Sequence, residues 1–187
     1  MKNLKIGLFG FGVVGEGIYK VLEDKPALNC QIKTICIKDI AKERNAPAKL
    51  FTDDPALILN DPDINVVVEL INDATAAFTL VKKALKSGKS VVSANKKMIA
   101  ENHAELIQLQ LENNVSLLYE AAVCGSIPII RNLEEYFDND LLSQVSGIVN
   151  GSTNYILTKM ASGTKDYVEA LHEAQESGFA ESDPSLD

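Results

Sequence analysis

Short apolar, largely β-branched runs alternate along the first 119 residues with longer segments of helical period, and this alternation limits the chain's folding choices most. Strands separated by helices pair in parallel, because each crossover helix carries the chain back to the same edge of the sheet. Strands are expected over Leu4 to Phe9, Gln31 to Ile37, Lys49 to Thr52, Val66 to Leu70, Ser90 to Ala94 and Val115 to Tyr119. The run Val66-Val67-Val68-Glu69-Leu70 is almost continuously apolar, which requires cover on both faces. Helices are expected at Val13 to Leu22, Pro55 to Asn60, Ala74 to Ser87 and Ala100 to Asn113, with Asp53 or Asp54 capping the second and Gly88 ending the third. The polar stretch Asp39 to Ala48 reads as a surface connection.

After Tyr119 the pattern changes. A small, Gly-bearing stretch, Glu120 to Pro128, precedes a helix at Ile129 to Phe137 and a strand at Leu142 to Val149. Asn150-Gly151-Ser152-Thr153 then supplies capping groups for a helix at Asn154 to Ala161, and a last amphipathic helix, Tyr167 to Ser177, stops at Gly178. One strand and a few helices do not close a core. The expected architecture is therefore α/β, a doubly wound, mostly parallel sheet with helices on both faces over residues 1–128, followed by the incomplete opening of an α+β domain over residues 129–187.

Composition narrows the functional classes. The 187 residues, with a mean hydropathy of +0.01, are those of a globular chain, and none of the apolar runs approaches the ~20 residues of a membrane span. Acidic residues outnumber basic ones by 26 to 18, and no basic run is interleaved with aromatics, so nucleic acid is not an expected partner. Cys30, Cys36 and Cys124 lack CxxC spacing; reduced thiols, buried as small hydrophobes in a cytoplasmic protein, are the expectation.

Gly10-Phe11-Gly12-Val13-Val14-Gly15 is a GxGxxG directly after the first strand and opening the first helix. In that place the first glycine permits a tight turn and the second lets the backbone approach a pyrophosphate. The third lets helix and strand pack closely, while free N–H groups at the helix start face the anion. This points to a Rossmann-type dinucleotide fold. Asp39 lies 24 residues beyond Gly15, near the offset of about 20 at which an acid meets ribose hydroxyls, whereas the adjacent Lys38 would attract a 2′-phosphate. The pair leaves NAD and NADP both open.

Ligands of such sheets bind beyond the strands' carboxyl ends. Three segments follow those ends: Ile71-Asn72-Asp73, Asn95-Lys96-Lys97 and Glu120. Lys96 would set a primary amine near the nicotinamide, where it could polarise a carbonyl or pass a proton; a solvated surface lysine is the equal alternative. Glu120 reads equally as a metal ligand, a buried structural carboxylate or a loop residue. His103 and His172 have no partner at ligand spacing and read as surface groups. Glu181, Asp183 and Asp187 could hold a substrate ammonium, although a solvated acidic loop is the commoner meaning of such a run.

These segments together resemble the homoserine dehydrogenase family. The likeness runs from the glycine motif through Val67-Val68-Glu69-Leu70-Ile71, Val91-Val92-Ser93-Ala94-Asn95-Lys96-Lys97 and Tyr119-Glu120-Ala121-Ala122-Val123 with Ile127-Pro128-Ile129. It continues in Gly147-Ile148-Val149-Asn150-Gly151-Ser152-Thr153-Asn154-Tyr155-Ile156-Leu157 and in Ala174 to Asp187, and so covers essentially the whole chain.

The resemblance implies NAD(P)-dependent hydride transfer between L-homoserine and L-aspartate 4-semialdehyde, on the branch to threonine and methionine, in a cytoplasmic homodimer. By position, Lys96 resembles an active-site lysine acting in proton transfer, Glu181 and Asp187 the acids that hold substrate, and Gly151 and Ser152 residues lining that site. Glu120, with main-chain oxygens near Val123 and Gly125, resembles a monovalent-cation site, Na+ or K+, and Lys38 stands where an arginine near the adenosine ribose is usual. Gly10 to Gly15, Lys38, Asp39, Ile71, Asn72, Asn95 and Lys96 are thus the expected cofactor contacts. Asn72-Asp73 replaces two glycines of many members, and Ser126 replaces a frequent glycine. The family continues with a further aspartate and lysine, so the chain is expected to be an N-terminal portion that binds cofactor with negligible turnover. The competing readings are a non-catalytic dinucleotide-binding regulatory module and another amino-acid dehydrogenase.

Overall fold

A computed structural model describes residues 3–125, 127–147 and 150–180, and the chain divides into two units, the first ending at Gly125. In the first unit the strands are β1 (Leu4–Phe9), β2 (Cys30–Cys36), β3 (Phe51–Thr52), β4 (Val66–Glu69), β5 (Ser90–Ser93) and β6 (Leu117–Leu118). They form one sheet in the order β3-β2-β1-β4-β5-β6, and every neighbouring pair is parallel. The order reverses direction beside β1, which is the topological switch point of a doubly wound fold. Helices α1 (Val13–Asp24), α2 (Ala56–Leu59), α3 (Ala74–Lys86) and α4 (Lys96–Asn113) make the crossovers.

Strand periodicity explains the two-sided core. Successive side chains face opposite ways, so Val67 enters one apolar layer with Phe9, Val81, Leu85 and Val91, while Val68 enters the other with Ile6, Leu8, Ile32 and Ile35. The buried residues of α3, Ala77, Val81, Ala84 and Leu85, recur at helical spacing, and its two alanines allow close approach to the sheet. Ile18 and Leu22 of α1 cover the opposite layer. Each large side chain taken from water here contributes about 1.5–3 kcal/mol.

Differences from the sequence expectation fall at element ends. Asn95 caps α4, which therefore starts at Lys96, four residues before Ala100, and a break at Asn102 (φ −129°, ψ 15°) interrupts it. The third and sixth strands shrink to two residues each; a 3₁₀ turn, Ala48–Leu50, replaces the start of the third. Asp54 accepts the Ala56 N–H at 2.8 Å, and Gly88 adopts φ +75° after α3. The three cysteines are free but only half-buried; burial still pushes the Cys36 thiol up to about 11.

The amino-terminal rim of the sheet is closed by the chain's own charges. Lys33 contacts Asp61 and Asp63, Lys5 contacts Asp63, and the buried Lys89 donates to the main-chain oxygens of Asp61 and Ile64 at 2.6 and 2.8 Å.

The second unit contains α5 (Ile129–Glu135), α6 (Gly151–Ala161) and α7 (Tyr167–Glu176). Residues 142–147 are irregular where a strand is expected, and 148–149 lie outside the described residues. Ile156 packs on Ala170 and Ala174, and Tyr155 stacks on Phe179 with ring centroids 4.8 Å apart. Glu173 faces two cations, Lys159 at 3.0 Å and Lys165 at 2.9 Å, and these hold its carboxyl down at about 2.

Candidate functional site

The turn from β1 into α1 is built by its glycines. Gly10 adopts φ +94° and donates its N–H to the Cys36 carbonyl at 3.0 Å; a Cβ there would lie 2.8 Å from the Leu70 oxygen. A Cβ on Gly15, which is buried, would lie 2.7 Å from the Gly10 oxygen. Gly12 is different. It caps α1, and a Cβ there would meet nothing within 4 Å. Among the described residues no contact demands glycine at this point, so the space in front of it is a cradle that a side chain would fill.

The helix start supports the same reading. Helices α3, α4, α6 and α7 each have an N-cap side chain that accepts a helix N–H, from Asp73, Asn95, Asn150 and Asp166 respectively. Helix α1 has none, so its first N–H groups keep their capacity for an outside anion. Val13 and Val14 are exposed beside this end, whereas Phe11 turns inward and packs edge-to-face on Phe51 and Tyr19.

Next to the turn, a groove of about 870 Å³ runs between Gly12, Val13 and Glu16 on one side and the connection after β2 on the other. Arg44 lines it, with its guanidinium 5.6 Å from the Phe51 ring centre and bonded to the Lys42 oxygen at 2.6 Å. Asn45 donates to Glu16 at 3.0 Å, tying the connection to α1. Lys38 and Asp39 are both exposed at the β2 tip, and Asp39 turns one carboxylate oxygen back to accept the Ala41 N–H at 3.0 Å.

The tips of β4 and β5 are joined by buried polar groups. Glu69 is fully buried; one carboxylate oxygen accepts the Ile71 N–H at 2.7 Å and the other accepts the Ser93 hydroxyl at 2.6 Å. Ser93 Oγ accepts the Asn95 N–H at 3.1 Å. Asn95 donates to the Ile71 oxygen at 2.9 Å and accepts the Met98 N–H at 2.9 Å. Burial raises the Glu69 carboxyl, and the two hydrogen bonds oppose that rise.

Lys96 follows as the first residue of α4 and is exposed; its neighbour Lys97 lies 3.9 Å from Glu101. Asn72 and Asp73 are exposed beyond β4, where Asp73 caps α3 through the Ala76 N–H at 2.9 Å.

Glu120 opens a 3₁₀ turn after β6, half-buried, and Cys124 and Gly125 follow in the left-handed region at φ +53° and +59°. Val123 donates its N–H to the Glu120 oxygen at 3.0 Å. His103 and His172 are exposed: His103 Nε2 lies 3.1 Å from the Tyr119 hydroxyl, and His172 Nδ1 lies 3.5 Å from Glu176.

In the second unit, Gly151 begins α6 and Ser152 donates its hydroxyl to the Phe179 oxygen at 2.6 Å. Glu181, Asp183 and Asp187 lie outside the described residues, as does Ser126.

The first unit thus gathers the glycine turn, Lys38, Asp39, Ile71, Asn72, Asn95, Lys96 and Glu120 at the carboxyl-end rim of one sheet. In the sequence Glu69 reads only as part of an apolar strand, and Ser93, Lys42 and Arg44 carry no separate role. A glutamate ending a run of three valines is the available signal for the first.

Residues 10–120 match the model of the homoserine dehydrogenase NAD binding domain, and residues 128–187 match that of homoserine dehydrogenase itself. The chain belongs to the homoserine dehydrogenase family. It is 40% identical to the homoserine dehydrogenase of Bacillus subtilis and 39% identical to that of Synechocystis, covering essentially all of this chain but only 45% and 44% of theirs. The chain therefore spans a little under half the length of these relatives. A homoserine dehydrogenase crystal structure from Thiobacillus denitrificans superposes with a TM-score of 0.88 at 34% identity, over all of this chain and 45% of that one. A hyperthermophilic archaeal homoserine dehydrogenase in complex with NADPH gives 0.77 at 29% identity, over 98% of this chain and 64% of that one. Within this family the chain carries Asn72-Asp73 as an exposed turn that also caps a helix.

Proposed function

We propose that the protein to which this chain belongs transfers hydride reversibly between L-homoserine and L-aspartate 4-semialdehyde, using NAD(P). The observation that carries this reading is the uncapped start of α1 beneath Gly12, on the same sheet rim as Lys96. The dinucleotide supplies or accepts the hydride when bound. The backbone from Gly10 to Gly15 and the first N–H groups of α1 hold its pyrophosphate, and Ile71, Asn72 and Asn95 border its nicotinamide end. Lys96 holds or releases a proton at the substrate's reacting oxygen. Gly151, Ser152, Glu181 and Asp187 orient the substrate's polar groups.

NADP suits the β2 tip better than NAD. Asp39 already spends an oxygen on the Ala41 N–H, while Lys38 is exposed and Lys42 and Arg44 line the adjoining groove. A 2′-phosphate there meets cations. Glu120, a half-buried carboxylate, is the group we assign, with the main-chain oxygens of Val123 and Gly125, to a monovalent cation. The dinucleotide belongs to residues 1–128 and, Lys96 apart, the substrate contacts to residues 129–187. Half-buried free thiols suit a cytoplasmic enzyme of threonine and methionine synthesis, which we take to act as a homodimer.

Two measurements test the reading. Fluorescence titration of the chain with NADPH is expected to saturate, and homoserine is expected to be oxidised in preference to other amino acids by the protein that carries this chain. Absence of saturable binding by NADPH and NADH alike overturns the cofactor assignment; equal use of other amino acids overturns the substrate.

A further inference from the structure

We infer that Glu69 is a positioning residue for the reaction, holding through Ser93 and Ile71 the turns after β4 and β5, the second of which brings Asn95 and Lys96 to the nicotinamide end of the site. The inference rests on the function proposed above and adds a residue to it.

Ile71, Ser93 and Asn95 close a hydrogen-bonded circuit with this carboxylate. Glu69 takes the Ile71 N–H and the Ser93 hydroxyl, Ser93 takes the Asn95 N–H, and Asn95 returns to the Ile71 carbonyl. Ile71 is therefore gripped at both its N–H and its C=O. The turn after β4 and the turn after β5 cannot shift separately without breaking a buried hydrogen bond, and each such loss costs about 1–3 kcal/mol. Asn95 also caps α4, so the circuit fixes where the helix bearing Lys96 begins.

The circuit specifies a carboxylate. Both Glu69 oxygens accept, and the donors facing them are a main-chain N–H, which cannot reverse, and a hydroxyl whose oxygen already accepts from Asn95. Glutamine in the same place presents an amide NH2 to one of these partners. If it faces Ile71, two donors meet; if it faces Ser93, the hydroxyl proton loses its acceptor. No cation pairs with Glu69 among the described residues, so ion pairing does not explain its presence at the end of a run of valines. A leucine there would avoid the cost of burying a carboxyl. What the carboxylate adds is a fixed geometry at the strand tips.

The test uses Glu69→Gln and Ser93→Ala in the protein that carries this chain. Both variants are expected to lower kcat for homoserine by about 10- to 100-fold, the scale of an ångström-sized misplacement. NADPH affinity should stay within about threefold, because the glycine turn is untouched. The double variant should be no worse than Ser93→Ala alone, since both changes break the same circuit. Amide hydrogen exchange supplies a readout free of turnover: Ile71, Asn95 and Met98 should exchange faster in either variant while the amides of α3 do not. If Glu69→Gln loses native structure, Ser93→Ala alone decides the matter. Unchanged kcat in the variant that folds, or a kcat loss matched by an equal loss of NADPH affinity, overturns the proposal. Wild-type protein without homoserine turnover but with the expected exchange pattern would instead overturn the functional reading and leave the circuit as a structural brace.

Discussion

Gly15 packs so closely beneath Gly10 that a Cβ on it would lie 2.7 Å from the Gly10 carbonyl oxygen, while Gly12, between them in sequence, faces open space. The three glycines of one motif therefore answer to different demands. Gly15→Ala should destabilise the fold by about 1–3 kcal/mol, the usual cost of forcing atoms into a packed site. Gly12→Ala should leave the melting temperature nearly unchanged yet weaken NADPH binding at least about tenfold, because the added methyl occupies the cradle above α1. Paired thermal melts and fluorescence titrations check both; unaltered affinity in the Gly12 variant would show that no pyrophosphate rests there.

Lys96→Ala should cut turnover about 10²- to 10⁴-fold, the range for losing a positioned proton-transfer group. Dinucleotide affinity should move by less than about threefold. Steady-state kinetics beside equilibrium binding separates the two quantities, and an unaltered rate would return Lys96 to the status of a solvated surface residue.

Lys38→Ala should weaken NADPH about tenfold or more and leave NADH little changed, since a charge-assisted hydrogen bond contributes about 1.5–3 kcal/mol and tenfold corresponds to about 1.4 kcal/mol. The preference should also fade as salt is raised, because the site is exposed. Equal effects on both coenzymes would remove Lys38 from phosphate recognition.

Acid should loosen the second unit through Glu173. Its carboxyl is held at about 2 against an ordinary value of 4.5, with Lys165, Lys159 and Tyr155 as the lowering partners. A lowered carboxyl pKa stabilises the fold fully above the unfolded value and loses that contribution as pH falls from about 4.5 towards 2. Glu173→Gln should therefore melt below wild type at pH 7, with the gap closing across that interval. A gap independent of pH would assign the effect of Glu173 to packing instead.

Legibility in the sequence followed the range of the forces involved. Strands β1, β2, β4 and β5 and the crossover helices are readable because burial on both sheet faces imposes an apolar pattern over four or more residues, as in Val66–Glu69 and along Ala77, Val81, Ala84 and Leu85. The glycine turn was readable because its steric demands are local. The start of α4 was not: Asn95 looked like part of a catalytic segment, and its capping bond to Met98 appears only once the backbone turns there. Glu69 was hidden for a related reason, since its value depends on Ser93, 24 residues away and joined to it only by strand pairing. The strand expected at Leu142 to Val149 rests on composition alone; residues 142–147 are exposed, and no strand pairs with them among the described residues.

The sealed amino-terminal rim gives the sheet a direction. There Lys5, Lys33 and Lys89 spend their charge on Asp61, Asp63 and two main-chain oxygens, so these three cations are engaged within the unit itself. Mutations around Asp61 should therefore alter how firmly the unit holds together without altering what it recognises.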